Sequence, residues 1–300
     1  MLKSGGVARA TLYIIISSLS FGAISVLTLL ASREGVSLID AMAWRYLLAI
    51  IVVVIAGSLR EIRATPPSRA INLIVLGGGG QALLTFTSLS ALDYISVATL
   101  AFLFYTYPAW VALLSAITGA ERLTKWRVGA LVLALAGVTI MVGTPGSGTL
   151  KGKGVALALG ASFLYAAYLP VLRRIQRDIP PKTATFFLVI GAATFFVVAA
   201  LIKGGLTFPA TNNARIDIAL LAVVSTGIAF TALIAGLSLL GPVRTAIIAT
   251  VEPFFTALLG VLVLKDQLRI ATVAGGVLII LAVVLIEWSS STKRDASVAP

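Results

Sequence analysis

A stretch of this chain occurs twice, at positions 145 residues apart. It reads LDYISVATLAFLFYTYPAWVALLSAITGAERL at 92–123 and LSLLGPVRTAIIATVEPFFTALLGVLVLKDQL at 237–268. The two copies align without a gap, and the alignment places Pro108 on Pro253. Chance matches are common between apolar sequences, but a shared proline within an apolar run is harder to explain by composition. We infer that the chain contains an internal repeat.

The composition is that of a membrane protein. The mean hydropathy is +1.06 and only 11% of the residues are charged, whereas about a quarter are charged in soluble domains. A bilayer core about 30 Å thick requires a helix of about 20 apolar residues. The first apolar run lacks the cleavage site of a signal peptide, so we interpret it as a helix. We predict an all-α membrane protein with ten transmembrane helices, at 9–31, 38–58, 69–91, 95–118, 125–143, 153–173, 182–202, 216–238, 243–264 and 270–288.

The repeat divides the ten predicted helices into two sets of five. Because each set has an odd number of spans, the two sets must lie upside down relative to each other in the bilayer. Inverted repeats are typical of secondary transporters, whose substrate site lies between the repeats. We predict a first five-helix repeat at 1–145, a second, inverted repeat at 146–288 and a polar, disordered tail at 289–300.

Membrane topology explains the net charge of +12. If both termini are cytoplasmic, the loops on the cytoplasmic side carry far more lysine and arginine than the loops outside. Positively charged loops stay in the cytoplasm during insertion. We therefore expect a multi-pass protein of the inner (plasma) membrane that acts as a monomer, with the lipid bilayer as its partner and no role in binding nucleic acid.

The chain has no cysteine and no histidine. This excludes disulfides, thiol catalysis and imidazole-based metal sites. An intramembrane enzyme needs a nucleophile–base pair, two catalytic acids or a metal site, and the sequence offers one acid deep within a span and no lysine there. We predict a protein that is not an enzyme and has no cofactor or metal. A channel is disfavoured only weakly, because no filter-like motif is present.

The repeated stretches also resemble a known family. The resemblance rests on Leu92–Ala98, Tyr107-Pro108 and Gly119–Leu123 in the first half, and on Leu239–Arg244, Val251-Glu252-Pro253 and Lys265–Leu268 in the second. These segments resemble the two halves of an EamA-type carrier of the drug/metabolite transporter superfamily, and the resemblance covers about 10–288. Among its members the chain is similar to the amino-acid exporters of the YddG type. The resemblance implies ten helices that carry small metabolites by alternating access.

The two repeated prolines locate a candidate substrate site. Pro108 and Pro253 fall near the middle of their predicted spans, where a proline frees the carbonyl four residues earlier. Freed carbonyls in a membrane must face protein or a water-filled cavity. The preceding residues are Tyr107 and Glu252, and Glu252 is the one acid deep within a span. We predict that both bind substrate. Alternatively, Glu252 pairs structurally with Arg45 or a serine hydroxyl.

Further candidate substrate-binding residues are aromatic or polar. Tyr105 is about 200° from Tyr107 on a regular helix, so we expect Tyr107 to face the cavity and Tyr105 to pack against a neighbour. Tyr165 and Tyr168 share one face of the sixth predicted helix. The remaining candidates are Gln81, which reaches the cavity or bonds to another helix, and Arg45, which either snorkels outward or attracts a substrate carboxylate.

These features together predict a secondary transporter. It moves amino acids or related small metabolites, in the outward direction, by rocking of the two halves around a central cavity. A nucleoside, an organic cation or a drug is an alternative substrate. The glycines at 77–80 are predicted to permit a close helix contact or a bend.

Overall fold

The computed structural model describes residues 4–91, 94–95, 100, 103–119, 124–142, 151–265 and 270–295, and every regular element in these ranges is a helix. In chain order the helices are α1 Ser4–Arg33, α2 Leu38–Ala56, α3 Leu59–Ala64, α4 Pro67–Ser90, α5 Tyr107–Ile117, α6 Lys125–Val142, α7 Gly152–Ile175, α8 Pro181–Ile202, α9 Asn212–Leu240, α10 Pro242–Ala249, α11 Glu252–Leu259 and α12 Ile270–Asp295.

The helices confirm a multi-pass membrane protein. Seven helical segments of the described chain are long and apolar enough to cross a bilayer: α1, α2, α4, α7, α8, α9 and the joined segment Pro242–Leu264. Two shorter apolar helices, Tyr107–Ile117 and Val273–Leu285, accompany them. The all-helical class is therefore confirmed, while the count of ten spans and the inversion of the two halves stay predictions.

Two elements differ from the predicted boundaries. The short helix α3 lies between two predicted spans, and the Ser58 hydroxyl caps it by accepting a hydrogen bond from the Glu61 amide. Helix α12 continues to Asp295, so residues 289–295 belong to this helix rather than to the predicted disordered tail. Extending an existing helix costs little compared with starting one, which allows a polar sequence to continue it. Residues 296–300 lie outside the described residues.

The two halves of the chain are interleaved. Helix α2 of the first half packs against α8 and α9 of the second half, and α8 packs against α4. A Cβ atom at Gly77 would overlap the backbone carbonyl of Leu188, and one at Gly191 would overlap that of Ile74. The backbones of α4 and α8 are therefore in direct contact. This confirms the close helix contact that the glycines at 77–80 predict.

Two helices contain a π-helical segment at corresponding positions. The segment in α4 is Leu76–Ala82 and the segment in α9 is Val223–Ile228, so the two overlap when the chain is shifted by 145 residues. A π-helical turn widens the backbone spacing and leaves carbonyls that regular α-helical bonds do not satisfy. The glycines at 77–80, for which the sequence predicts a close helix contact or a bend, lie within the π-helical turn of α4.

Helix α1 belongs to the first half of the chain but packs mainly against helices of the second half. It packs along α9 and against α11. The Ser17 hydroxyl donates to the Ala229 carbonyl at 2.9 Å, and the Ser225 hydroxyl donates to the Ser20 carbonyl at 2.8 Å. Gly22 lies against the Glu252 carbonyl, which a Cβ atom at this glycine would approach to 3.2 Å. Small and hydroxyl side chains thus hold α1 beside the helix that begins at Glu252.

Candidate functional site

Both repeated prolines stand at interruptions of a helix. Helix α5 begins at Tyr107, immediately before Pro108, and α11 begins at Glu252, immediately before Pro253. Two turn residues precede the start of each helix, and in each turn a threonine hydroxyl bonds to the carbonyl three residues earlier. The Thr106 hydroxyl donates to the Leu103 carbonyl and the Thr250 hydroxyl to the Ile247 carbonyl, both at 2.7 Å. Because proline has no amide N–H and excludes the preceding helical carbonyl, the sequence breaks both helices at this level.

The interruption brings Tyr105 and Tyr107 to the same side, which the helical prediction excluded. Their ring centroids are 6.2 Å apart, and the side chain of Tyr105 hydrogen-bonds to Glu252. The expectation that Tyr105 packs away from Tyr107 was therefore wrong. The prediction assumed a continuous helix with 100° per residue, whereas Tyr105 and Thr106 form a turn that resets this angle.

Five aromatic rings form a continuous cluster around this interruption. The Tyr107 ring lies 4.7 Å from the Tyr165 ring, which stacks on Phe104 at 5.7 Å and on Tyr168 at 6.2 Å. Tyr105 lies 5.7 Å from Phe104. Tyr105, Tyr107 and Tyr168 are all less than a tenth exposed. We call these five residues and Glu252 the aromatic–carboxylate cluster.

Residues from both halves hold this cluster in place. Helix α5 packs against α7 and α10. Thr106 and Ser162 share a hydrogen bond of 3.0 Å between their hydroxyls, which joins the interruption to α7. The Tyr107 hydroxyl donates a long bond of 3.5 Å to the Ala246 carbonyl of α10. A movement of one half against the other therefore changes the surroundings of the cluster.

Glu252 stands at the N-terminus of α11, where the helix dipole favours a negative charge. Its partner is Tyr105, not Arg45 or the serine that the sequence suggested. In the described part of the chain no lysine or arginine lies within salt-bridge distance of this carboxylate. The carboxylate is thus held by a neutral phenol, which a cationic ligand can replace.

Arg45 is buried and belongs to a different contact. Its Nε donates to the Thr226 hydroxyl and its Nη2 to the Ser225 carbonyl, each at 2.7 Å. Its Nη1 reaches the Met42 sulfur at 3.6 Å, and its guanidinium lies 5.0 Å from the centre of the Tyr46 ring. With 2% exposure, Arg45 does not snorkel to the surface, so that expectation was wrong. The π-helical turn of α9 supplies the acceptors that make the buried position stable.

The Gln81 amide bonds within its own helix. Its Nε2 donates to the Thr85 hydroxyl at 3.4 Å, and that hydroxyl donates back to the Gln81 carbonyl at 2.9 Å. The predicted bond to another helix is therefore replaced by a local one, through a threonine that donates to the carbonyl four residues earlier, as helical threonines commonly do. The neighbouring Gly80 lies against the Tyr168 ring.

Sequence reasoning missed three residues that shape the site. Thr106 and Ser162 fix the interruption, and the Tyr46 ring lies against the Arg45 guanidinium. The hydroxyls of Tyr46 and Tyr168 are buried and make no hydrogen bond in the described part of the chain. The threonine two positions before Pro108 was a usable signal for the first of the two turns. No local sequence signal identifies Tyr46.

The arrangement can bind a small molecule with a positive charge and an apolar part. A lone carboxylate binds an ammonium group through a charge-assisted hydrogen bond. Aromatic rings attract a cation through their faces and cover apolar groups. Histidine and cysteine are absent from the chain, and the described residues contain no group of three or more acidic side chains that could hold a metal ion.

Comparisons with known proteins agree with this architecture. The model of the EamA-like transporter family matches residues 8–143 and again residues 152–288, which together span most of the chain. One solved crystal structure superposes with a TM-score of 0.79 at 21% sequence identity, over 93% of this chain and 96% of that chain. This likeness shows the fold alone. The two family matches confirm the resemblance noted in the sequence: the chain belongs to the EamA-like transporter family of drug/metabolite transporters.

Proposed function

We propose that the chain is a secondary transporter that exports amino acids or related small amine metabolites by alternating access. The observation that supports this most directly is the aromatic–carboxylate cluster. It combines one partly buried carboxylate with four tyrosines and Phe104 at the level where both repeated helices are interrupted. Transporters bind substrate at such interruptions between repeats.

The substrate chemistry follows from the residues of the cluster. The Glu252 carboxylate would bind the substrate's ammonium group in place of the Tyr105 hydroxyl. The Tyr165 and Tyr107 rings would cover an apolar or aromatic side chain. The Tyr168 hydroxyl is buried and has no hydrogen-bond partner among the described residues, so it would bond a polar group of the substrate, since buried polar groups are rarely left unsatisfied.

Arg45 is the less suitable partner for a substrate carboxylate. Two of its nitrogens already donate hydrogen bonds to the π-helical turn of α9. If Arg45 turned toward a substrate, the Ser225 carbonyl would lose the hydrogen bond that it accepts from Arg45. We propose that Arg45 connects α2 to α9 and acts on transport through that contact. Gln81 in the corresponding turn of α4 would face the cavity only after its bond to Thr85 opens.

The helix interruptions provide a mechanism for alternating access. The turns at Tyr105-Thr106 and at Thr250-Val251 stand directly before α5 and α11, the two helices that carry the repeated prolines. We propose that these turns act as hinges when the two inverted halves rock. Glu252 would release Tyr105 when it binds either a proton or a substrate ammonium, so that binding of one excludes the other and couples the two movements.

A carrier of organic cations is the second candidate. Among the described residues, no basic side chain contacts the aromatic–carboxylate cluster. An amino-acid substrate would need such a side chain to pair with its own carboxylate, whereas an organic cation has no carboxylate to pair. Nucleosides and uncharged drugs fit the cluster less well, since neither carries a positive charge to pair with the Glu252 carboxylate.

Counterflow in proteoliposomes is expected to separate these functions. Vesicles loaded with an unlabelled amino acid should accumulate the labelled form transiently, and the initial rate should saturate with concentration. The panel should compare aromatic and aliphatic amino acids with organic cations and nucleosides. Linear, non-saturable flux would contradict a carrier, and saturation with cations alone would favour the second candidate.

Tyr105→Phe is expected to change coupling more than Tyr165→Phe does. The Tyr105 hydroxyl hydrogen-bonds to the Glu252 carboxylate, and the described residues show no such bond from Tyr165, so loss of the Tyr105 hydroxyl frees the carboxylate for protons and substrate alike. A charge-assisted bond contributes about 1.5–3 kcal/mol, and its loss should alter the pH dependence of counterflow measurably. Tyr165→Phe keeps the ring stack and is the matched control. Identical pH profiles for the two variants would contradict a role for the Tyr105 hydroxyl.

We also propose that both termini are cytoplasmic and that the protein lies in the inner (plasma) membrane. Because the chain has no cysteine, single cysteines introduced at exposed positions report sidedness without a background. Ser68→Cys is expected to be blocked by impermeant maleimide only after the cells are opened, and Lys203→Cys in intact cells. The reverse pattern would contradict the proposed orientation.

A further inference from the structure

An open cleft of about 330 Å³ lies away from the aromatic–carboxylate cluster. It is formed between the start of α4 and the end of α7. Three arginines, one asparagine and one isoleucine line it: Arg69, Asn72, Arg174, Ile175 and Arg177. The lining contains no acidic residue, so the cleft presents a concentrated positive charge.

The cleft is held in shape by Arg69. Its Nη1 donates to the carbonyls of Ile175 and Arg177, each at 3.1 Å, and thereby joins the first turn of α4 to the end of α7. Guanidinium groups have further N–H donors in a fixed fork. The remaining donors of Arg69 make no protein hydrogen bond in the described part of the chain, so they are available to an anion.

The other two arginines are also available. The Arg174 side chain makes no hydrogen bond or ion pair in the described part of the chain. Arg177 has an ion pair with Asp178 at 3.9 Å, but both side chains are more than four-fifths exposed. An exposed pair of that length contributes little. In the described part of the chain, the three guanidinium groups around this cleft therefore have no close, buried carboxylate that neutralises their charge.

The position of the cleft indicates what binds there. It lies at the first turn of the span Pro67–Ser90 and at the last turn of the span Gly152–Ile175, which is the level of the lipid headgroups. Immediately deeper in the same helices, Ile71, Val75 and Val171 are 58%, 64% and 43% exposed. A charged cleft with exposed apolar side chains deeper in the same helices matches the amphiphilic pattern of a phospholipid.

We propose that this cleft binds the phosphate headgroup of an anionic phospholipid. The phosphate oxygens accept hydrogen bonds from Arg69, Arg174 and Arg177, and one acyl chain lies along Ile71 and Val75. Basic pockets between transmembrane helices at the membrane surface bind such headgroups. The site is separate from the proposed substrate site and does not depend on which substrate is carried.

Lipid retention by the purified full-length protein tests this proposal. The protein in neutral detergent is titrated with phosphatidylglycerol, with phosphatidylcholine and with inorganic phosphate, and bound lipid is counted by native mass spectrometry. The variant Arg174→Gln/Arg177→Gln removes two charges but keeps the Arg177 carbonyl that Arg69 uses. The control Arg60→Gln/Arg63→Gln removes two charges from exposed residues of α3, outside the cleft. Thermal unfolding without added lipid verifies that both variants are folded.

We expect the wild type to retain phosphatidylglycerol in preference to phosphatidylcholine. The cleft variant should lose affinity for phosphatidylglycerol by about 30-fold, given the contribution of each basic residue near an anionic lipid. The control variant should lose far less. Equal losses in the two variants, or no preference over phosphatidylcholine, would overturn the proposal. If millimolar inorganic phosphate competes as strongly as the lipid does, the assignment to a lipid would be overturned. A soluble anion would then be the ligand.

Discussion

Replacing Glu252 with glutamine is expected to reduce counterflow of the preferred amine substrate by roughly 100-fold, because a charge-assisted hydrogen bond contributes up to about 3 kcal/mol. Glutamine retains the size of the side chain and its bond to the Tyr105 hydroxyl but cannot bind an ammonium group through a charge or exchange a proton. The residual rate should also lose its dependence on pH. Initial rates of counterflow between about pH 4 and pH 9, a range that begins at the ordinary pKa of glutamate and extends above it, provide the measurement.

The control for this substitution is Asp178→Asn. Asp178 is 83% exposed, so this variant makes the same chemical change far from the aromatic–carboxylate cluster and should transport as the wild type does. Glu252→Gln is expected to remain folded, because a neutral amide is easier to bury than a carboxylate. An unchanged rate and pH profile in Glu252→Gln would remove this residue from the mechanism.

Gly191→Ala is expected to cause the largest loss of stability from a single added methyl group. The new Cβ atom would overlap the Ile74 carbonyl and the Gly78 amide nitrogen, which are backbone atoms that cannot turn away. Overpacking typically costs about 1–3 kcal/mol, and we expect a cost at the upper end of this range. The measurement is the thermal unfolding midpoint of the detergent-solubilised protein, together with the yield of folded protein.

Gly79→Ala is the matched control for this prediction. Gly79 lies in the π-helical turn of α4 that Gly191 contacts through Gly78, but a Cβ atom at Gly79 would meet no atom of the described residues within 4 Å. Alanine is also the better helix former by about 1 kcal/mol. Its midpoint should therefore equal or exceed that of the wild type. If Gly191→Ala and Gly79→Ala have the same midpoint, the backbone contact between α4 and α8 does not carry the stability we assign to it.

The helical class and the location of the candidate site could be predicted from the sequence. Apolar runs of membrane length have one outcome in a bilayer, because a helix satisfies its own backbone hydrogen bonds. Pro108 and Pro253 predicted disturbed helices for a similarly local reason, since the missing N–H acts on the residues immediately before it. The interruptions at Tyr107 and Glu252 agree with this prediction.

The contacts within the candidate site could not be predicted in the same way. Tyr105 was placed away from Tyr107 because a regular helix was assumed, and the length of the interruption depends on packing against α7 and α10. Arg45 was expected to snorkel outward, to attract a substrate carboxylate or to pair with Glu252, because charge is costly in a membrane. Its acceptors come from Thr226 and Ser225, about 180 residues further along the chain, and no local pattern indicates them.

The sequence by itself determined that the chain is a duplicated helical membrane protein and that its two repeated prolines interrupt helices. These properties depend on hydropathy, repetition and backbone chemistry, which act over short stretches of chain. Only the tertiary structure decided that Tyr105 rather than Arg45 holds Glu252, and that Arg45 holds a π-helical turn of α9. Side-chain partners depend on how helices from both halves interleave, and that arrangement is fixed by the packing of the whole molecule.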